Sequence, residues 1–223
     1  MNYNFLSTTV LFQGMSEGDI QSILKCLGTE EKHFPKGSII YHTGQIVTSL
    51  GVVLSGAVCI ENDDIWGNKS ILAYIGPGEV FAETYACISE EPLMVNVVAA
   101  EICDILFINT RRLLNPCSGN CSYHNKVIRN LLTISAQKNL NLSNRIFHTS
   151  SKSIRGRLLS YLSFQATRQG VYEFSIPFNR QQLADYLNVD RSALSNELSK
   201  MQKEGILSYR KNHFRLYKKE HTL

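Results

Sequence analysis

The stretch from Asn179 to Leu207 constrains this chain more than any other. Its order, N-R-Q-Q-L-A-D-Y-L-N-V-D-R-S-A-L-S-N-E-L-S-K-M-Q-K-E-G-I-L, predicts two short helices joined by a tight turn. Asn179 is a good N-cap, and Gln182 follows three residues later, as a capping box requires. Leu183, Ala184 and Leu187 form one apolar stripe at helical spacing. Asn188 falls at the turn, where asparagine tolerates a left-handed backbone better than most residues. Asp190 caps a second helix whose apolar residues Leu194, Leu198 and Met201 recur at i, i+4 and i+7, and Gly205 closes it.

The other face of that second helix carries Ser192, Ser195, Asn196 and Ser199, flanked by Arg191 and Lys200. An ordinary solvated face carries more glutamate and longer side chains. A helix that enters a major groove needs short hydrogen-bonding groups near its axis and a basic flank. Ile206 to Tyr217 then reads as two short strands around a basic tip, Lys211-Asn212-His213, so the motif is winged. Charge agrees. Residues 150–223 hold 13 Lys/Arg and 6 Asp/Glu, a net of +7, whereas residues 1–149 hold 10 and 13, a net of −3. A basic nucleic-acid-binding part joined to a part with another task fits that asymmetry.

The stretch from Arg180 to Leu207 resembles the winged helix-turn-helix of the Crp/Fnr transcription regulators, and the resemblance extends over nearly the whole chain. It implies an α+β fold: an N-terminal double-stranded β-roll like a cyclic-nucleotide-binding domain (residues 12–115), a long dimerisation helix (116–148) and a C-terminal winged helix-turn-helix (149–223). It also implies a homodimer that binds double-stranded DNA sequence-specifically under the control of an effector. RNA polymerase is a candidate further partner.

The rest of the chain is consistent with that division. Ser16 to Leu27 predicts an amphipathic helix with Ile20, Ile23, Leu24 and Leu27 on one face. From Phe34, glycines punctuate short apolar runs: Ser38–Tyr41, Leu50–Leu54, Ala57–Ile60, Ser70–Ile75, Val95–Ala99 and Cys103–Ile108. Regular short strands with turn signals point to a β-sandwich or roll. Asn62-Asp63-Asp64 reads as a hairpin turn. Phe34-Pro35-Lys36-Gly37, Leu54-Ser55-Gly56 and Gly76 to Glu83 carry the likeness to the cyclic-nucleotide-binding roll. Asn115-Pro116 ends it. A helix from Ser118 to about Phe147 bears a stripe of Ile128, Leu132, Ser135, Asn139, Leu142 and Ile146. The spacing 4, 3, 4, 3, 4 is that of a coiled-coil seam. His148 to Ser153 reads as an interdomain hinge. A helix follows from Ile154 to about Arg168, then a strand-like run from Val171 to Ile176.

Effector chemistry is less determined. In cyclic-AMP-sensing relatives a Gly-Glu pair contacts the ribose and an Arg-Ser pair the phosphate. The matching positions here are Ala82-Glu83 and Leu93-Met94, so Glu83, Leu93 and Met94 mark the expected effector pocket without the phosphate pair. No Lys or Arg occurs between Ser70 and Thr110, while six acids do. A cyclic phosphate needs a cation or several aligned donors, so cyclic AMP is disfavoured and a neutral or apolar effector, or none, is expected. The alternative class is thiol, metal or redox sensing. Cys117, Cys121 and His124 are its weak metal candidates, Cys121 and His124 lying one helical turn apart.

An enzyme is not expected: no nucleophile elbow, phosphate loop or paired-carboxylate motif is present. The start lacks the pattern of a signal peptide and no apolar run spans a membrane. A cytoplasmic protein with no membrane partner is therefore expected. On the recognition helix, Arg191, Ser192, Ser195 and Asn196 stand where the family reads bases. Arg180, Gln181, Lys200 and Lys211 are the expected phosphate contacts.

Overall fold

A computed structural model describes residues 1–63, 69–88, 90–115 and 122–217. It divides into two compact units, Met1–Gln137 and Lys138–Leu223.

The first unit opens with α1 (Tyr3–Thr8), a 3-10 turn (Val10–Phe12) and α2 (Glu17–Leu27). Ser16 and Asp19 close a capping box at the start of α2, and Gly28 ends it in the left-handed region. The unit therefore begins before the expected residue 12: Leu6, Leu11 and Phe12 are fully buried in its core.

Eight strands follow: β1 (Glu30–Phe34), β2 (Ile39–Tyr41), β3 (Ser49–Ser55), β4 (Val58–Asp63), β5 (Lys69–Ile75), β6 (Val80–Phe81), β7 (Asn96–Ala99) and β8 (Cys103–Asn109). The short helix α3 (Glu83–Cys87) sits between β6 and β7, and α4 (Thr110–Leu114) follows β8. The strands form two four-stranded antiparallel sheets, ordered β1-β8-β3-β6 and β2-β7-β4-β5. Val53, Phe81, Ile105 and Phe107 of the first sheet meet Val58, Val97 and Ala99 of the second in one core. The other side of the first sheet, Leu50, Val52, Leu106 and Ile108, packs on α1, α2 and the start of the long helix. Burial of both faces explains why β8 reads as a continuous apolar run rather than an alternating one. Gly51 lets β3 approach β6; a Cβ there would lie 2.2 Å from the Phe81 ring.

One expectation changes, and one strand carries no sequence signal. Asn62 and Asp63 are strand residues opposite Ser70 and Lys69, because β4 continues its ladder beyond the polar run. Asp64 lies outside the described residues. Strand β1 carried no alternating pattern. It is a charged edge strand, Glu30-Glu31-Lys32-His33, held by pairing to β8, and charge on an edge guards against pairing with other chains.

The long helix α5 (Ser122–Thr149) buries Val127 and Leu131 in the first unit. The expected start at Ser118 lies outside the described residues. Of the seam positions, Ile128 packs partly against that core. Leu132, Leu142 and Ile146 are 69%, 61% and 69% exposed. Asn139 is exposed and Ser135 half-buried.

The second unit contains α6 (Ile154–Gln169), β9 (Glu173–Ser175), α7 (Arg180–Leu187), α8 (Arg191–Lys203), β10 (Leu207–Arg210) and β11 (His213–Leu216). Ser153 caps α6 and Gly170 stops it. The three strands form a sheet ordered β10-β11-β9. His213 belongs to β11, opposite Arg210, so the wing tip is Lys211-Asn212 alone. Leu158, Leu162, Leu183, Leu187, Leu194, Leu198, Met201 and Phe214 form the core.

The stretch expected as a hinge lies inside this unit. His148 is helical and fully buried, with its ring 5.6 Å from Tyr161, 5.0 Å from Phe164 and 6.2 Å from Tyr186. Its Nδ1 shares a 3.0 Å hydrogen bond with Ser160. An imidazole in an aromatic shell is packing material, so the residue that looked polar in sequence anchors α5 instead of loosening it. Burial lowers the His148 pKa below 6.5. The unfolded chain therefore takes up a proton that the folded chain refuses, and stability falls as pH drops through about 6.5. Thermal unfolding at pH 7.5 and 5.5 checks this: His148→Phe should lose less stability between the two than the wild type.

Candidate nucleic-acid interface

The two helices of the motif form as their caps dictate. The Asn179 side chain accepts from the Gln182 backbone N–H at 2.9 Å, and Gln182 accepts from the Asn179 N–H at 2.8 Å. Asn188 ends α7 at φ 53°. Asp190 accepts from the Ala193 N–H at 2.8 Å and starts α8. Gly205, at φ 70°, follows its end.

The turn between them is held by two arginines that local sequence does not reveal. From α5, Arg145 donates to the Tyr186 carbonyl at 3.2 Å and to that of Asp185 at 3.0 Å. From α6, Arg157 donates to the Leu187 and Asn188 carbonyls at 3.0 and 2.8 Å, and to Ser151 O at 2.8 Å. A helix leaves its last carbonyls without internal partners, and cations at that end also meet the negative pole of its dipole. Gly156 makes room for this arrangement, since a Cβ there would stand 2.0 Å from Ser151 Oγ. A third arginine, Arg155, pairs with Glu197 on α8 and, at 2.7 Å, with Glu204. It neutralises two acids of the recognition segment.

The exposed face of α8 is simpler than its composition. Ser192 Oγ donates to Asp190, Ser195 Oγ to the Arg191 carbonyl at 2.9 Å, and Ser199 Oγ to the Ser195 carbonyl at 3.0 Å. These hydroxyls are turned onto their own helix. Arg191 and Asn196 are exposed, and neither side chain has a hydrogen bond or ion pair among the described residues. They are the groups with donors and acceptors to spare. Lys200 is exposed one turn further on.

A second basic feature lies between the start of α7 and the wing. Pro177, Phe178, Asn179, Arg180, Gln182, Lys211 and Asn212 line a recess of about 440 Å³. The Arg180 guanidinium stands 4.9 Å from the Tyr209 ring centroid and donates to the Lys211 carbonyl at 3.3 Å. Burial lowers its pKa, with Arg191 adding to the effect and Tyr209 opposing it; an arginine remains a cation at neutral pH nonetheless. Lys211 takes φ 56° at the wing tip. Asn212 fixes that tip by donating to the Ile176 carbonyl at 2.9 Å. Arg180 and Lys211, expected on separate elements, thus share one cavity. Gln181 is not part of its lining and donates to Asp185 at 2.8 Å.

The expected effector residues are differently disposed. Glu83 and Leu93 are buried, whereas Met94 is 65% exposed. Leu93 is fixed through its backbone, donating to Gln45 O at 3.0 Å and accepting from Gly44 at 2.7 Å. Its side chain fills the interior. Another recess in this unit, of about 480 Å³, is lined by Ile46, Ala86, Ile88, Arg111 and Leu114 among others. Of the metal candidates, Cys117 and Cys121 lie outside the described residues. His124 is buried, its Nε2 is 3.9 Å from Cys26 Sγ, and its Nδ1 has no partner among the described residues. The structure thus adds Cys26, 98 residues away in sequence. No cluster of three or more metal-ligating side chains occurs among the described residues. No helix there is long and apolar enough to cross a membrane.

Comparison with known proteins gives two family matches. Residues 31–120 match the cyclic nucleotide-binding domain and residues 156–220 the Crp-like helix-turn-helix domain. Among curated relatives, the potassium voltage-gated channel protein eag of Drosophila melanogaster is 27% identical over 103 residues. That match covers 45% of this chain and 8% of the channel, so the chain spans less than a tenth of that relative. The cyclic AMP receptor protein of Thermus thermophilus is 23% identical over 197 residues, covering 88% of this chain and 87% of that protein. The solved OCPA-complexed CprK is similar in fold, with TM-score 0.59, 18% identity and coverage of 89% and 92% of the two chains.

The arginine clamp makes a direct prediction. Arg157→Ala removes charge-assisted hydrogen bonds from carbonyls at the turn and should cost about 1–3 kcal/mol of stability. Urea denaturation of the two proteins measures it.

Proposed function

Because the chain belongs to the Crp/Fnr family of transcription regulators, we propose that it works as a homodimer that reads one DNA operator under the control of a small effector. The observation that carries the DNA-reading role is the face of α8. Arg191 and Asn196 are exposed there with unused hydrogen-bonding groups, while Arg180 and Lys211 sit together in the recess beside it. Arginine pairs best with guanine and asparagine with adenine. The half-site therefore contains a guanine set by Arg191 and an adenine set by Asn196. Ser192 and Ser195 contribute by turning their hydroxyls from Asp190 and the helix backbone toward base edges. Arg180, Lys211, Lys200 and Gln181 contact phosphates, which position the protein without reading sequence.

The exposed apolar seam of α5 supports the dimer. Leu132, Leu142 and Ile146 at coiled-coil spacing have no cover within the described chain. A second copy supplies it, with Ile128, Ser135 and Asn139 completing the seam. In sedimentation, wild-type protein should be a dimer at micromolar concentration and Leu142→Lys should weaken it. A monomeric wild type would refute this reading.

The effector reading rests on charge. The segment from Ser70 to Thr110 has six acids and no cation, and Leu93 is buried where relatives place a phosphate-binding arginine. A neutral or apolar molecule suits that wall better than cyclic AMP, for which calorimetry should find no micromolar binding. An effector acts only through its differential affinity for two states of the protein.

The readout experiment is a binding titration over single-base variants of a selected operator at two salt concentrations. Asn196→Ala should lose about 1–3 kcal/mol on the preferred site and relax one position only. Lys211→Ala should weaken binding evenly and reduce the salt slope by about one unit. Equal loss by Asn196→Ala at every position would show that Asn196 does not read a base.

A further inference from the structure

The first unit buries an imidazole that packing alone does not account for. His124, in the first turn of α5, is 1% exposed. Its Nδ1 has no hydrogen-bond partner among the described residues. Its Nε2 faces the Cys26 sulfur at 3.9 Å. A side chain that only filled this space would serve better as leucine or phenylalanine, which leave no ring nitrogen unpaired. Buried polar atoms without partners call for an explanation.

Cys26 lies in the last turn of α2 and is exposed. The pair therefore has one member inside and one open to solvent. The other cysteines among the described residues are placed differently. Cys59 and Cys103 are buried, and burial pushes their thiols up, with Glu61 and Asp104 adding to it. Cys87 is exposed, yet partial burial and then Glu83 push its thiol up as well. The thiolate is the nucleophilic form of cysteine, and a neighbouring acid disfavours it. Cys26 faces a base instead. The C-terminal end of a helix is a negative pole that opposes a thiolate. Lys25 stands in that same turn, and the Arg112 guanidinium lies against Gly28, which closes the helix, so cations cover that end.

We propose that Cys26 is a thiol-modification site at which His124 takes the thiol proton and the thiolate attacks a low-molecular-weight disulfide. A neutral imidazole carries one N–H and one lone pair. With the N–H on Nδ1, the Nε2 lone pair faces the thiol. Nucleophile and base stand somewhat apart before a reactant binds in many such pairs. The Cys26 Sγ then bonds one sulfur of the disulfide and the S–S bond breaks. Its electron pair leaves on the other sulfur as a thiolate, which accepts the proton held by Nε2. Cys26 is oxidised to a mixed disulfide and the reagent is reduced to one thiol. Burial of His124 leaves the sulfur, not the ring, as the atom the reagent meets. The site belongs to Met1–Gln137, and the proposal does not depend on DNA binding.

The probe is 2-hydroxyethyl disulfide, which is small and uncharged, added to the reduced full-length protein. Initial rates at each cysteine are read by peptide mass spectrometry after acid quenching, with Cys87 as the internal reference. At pH 7 Cys26 should react at least about tenfold faster than Cys87. Between pH 7 and pH 6 Cys87 should slow about tenfold, as the thiolate fraction of an ordinary thiol does. Cys26 should slow by less than about threefold over the same interval. His124→Gln should lower the Cys26 rate at pH 7 by about tenfold and give it the steep pH dependence of Cys87. The Cys87 rate should not change in that variant. Circular dichroism and Tm report whether the variant folds, and the wild-type pH profile tests the pair without it. A Cys26 rate no greater than that of Cys87 at pH 7 would overturn the assignment. So would an equally steep fall of both rates toward pH 6, or a folded His124→Gln protein in which Cys26 reacts as in the wild type.

Discussion

The backbone carbonyls at the end of α7 are the point on which the DNA-binding unit turns. A two-helix motif is useful only if its second helix leaves the turn at a fixed angle. The carbonyls of Tyr186, Leu187 and Asn188 would otherwise look to water for donors, while that of Asp185 also accepts from the Asn188 N–H at 3.3 Å. Arg145 and Arg157 supply those donors from two other helices. The turn is thereby tied to α5 and α6 as well as to the core beneath it. Asn188 in the left-handed region and the Asp190 cap then set the direction of α8. Arg155 binds Glu197 and Glu204, so the acids of that segment face a cation of α6.

The first unit depends on a sheet covered on both sides. Strand β8 carries Ile105 and Phe107 toward the second sheet and Leu106 and Ile108 toward the helices. Val127 and Leu131 of α5 join that helical layer. One face of α5 is thus spent on its own roll, and the seam of Leu132, Leu142 and Ile146 is left over. The same 28-residue helix carries the His148 and Arg145 anchors of the second unit near its C-terminal end.

Legibility in the sequence followed the range of the interactions. Local features were read well: the Asn179–Gln182 capping box, the Asn188 turn, the Asp190 cap and the Gly170 stop are all where short-range rules put them. Strands with apolar runs were read to within a residue or two, except β4, which continues three residues past its apolar run to Asp63. Long-range features were not visible. Strand β1 exists because β8 pairs with it, and its own residues show no pattern. His148 looked like part of a polar linker because the Tyr161, Phe164 and Tyr186 rings around it come from other helices. The arginines of the clamp lie 30 to 41 residues from the carbonyls they hold at the turn. Helical spacing placed Arg191 and Asn196 on the exposed face of α8, where they stand, but that its serines bond their own helix needed coordinates.

These features converge on one claim, that α8 reads base edges. The most direct test is selection of duplexes from a random library by the purified full-length protein, then titration of the enriched sequence against a scrambled duplex at fixed salt. The account predicts a two-fold-symmetric site, its half-sites about one helical turn apart and each containing the guanine and adenine assigned to Arg191 and Asn196. It should be bound about 10³-fold or more tightly than the scrambled duplex. Absence of any enriched sequence, with equal affinity for both duplexes, would contradict it.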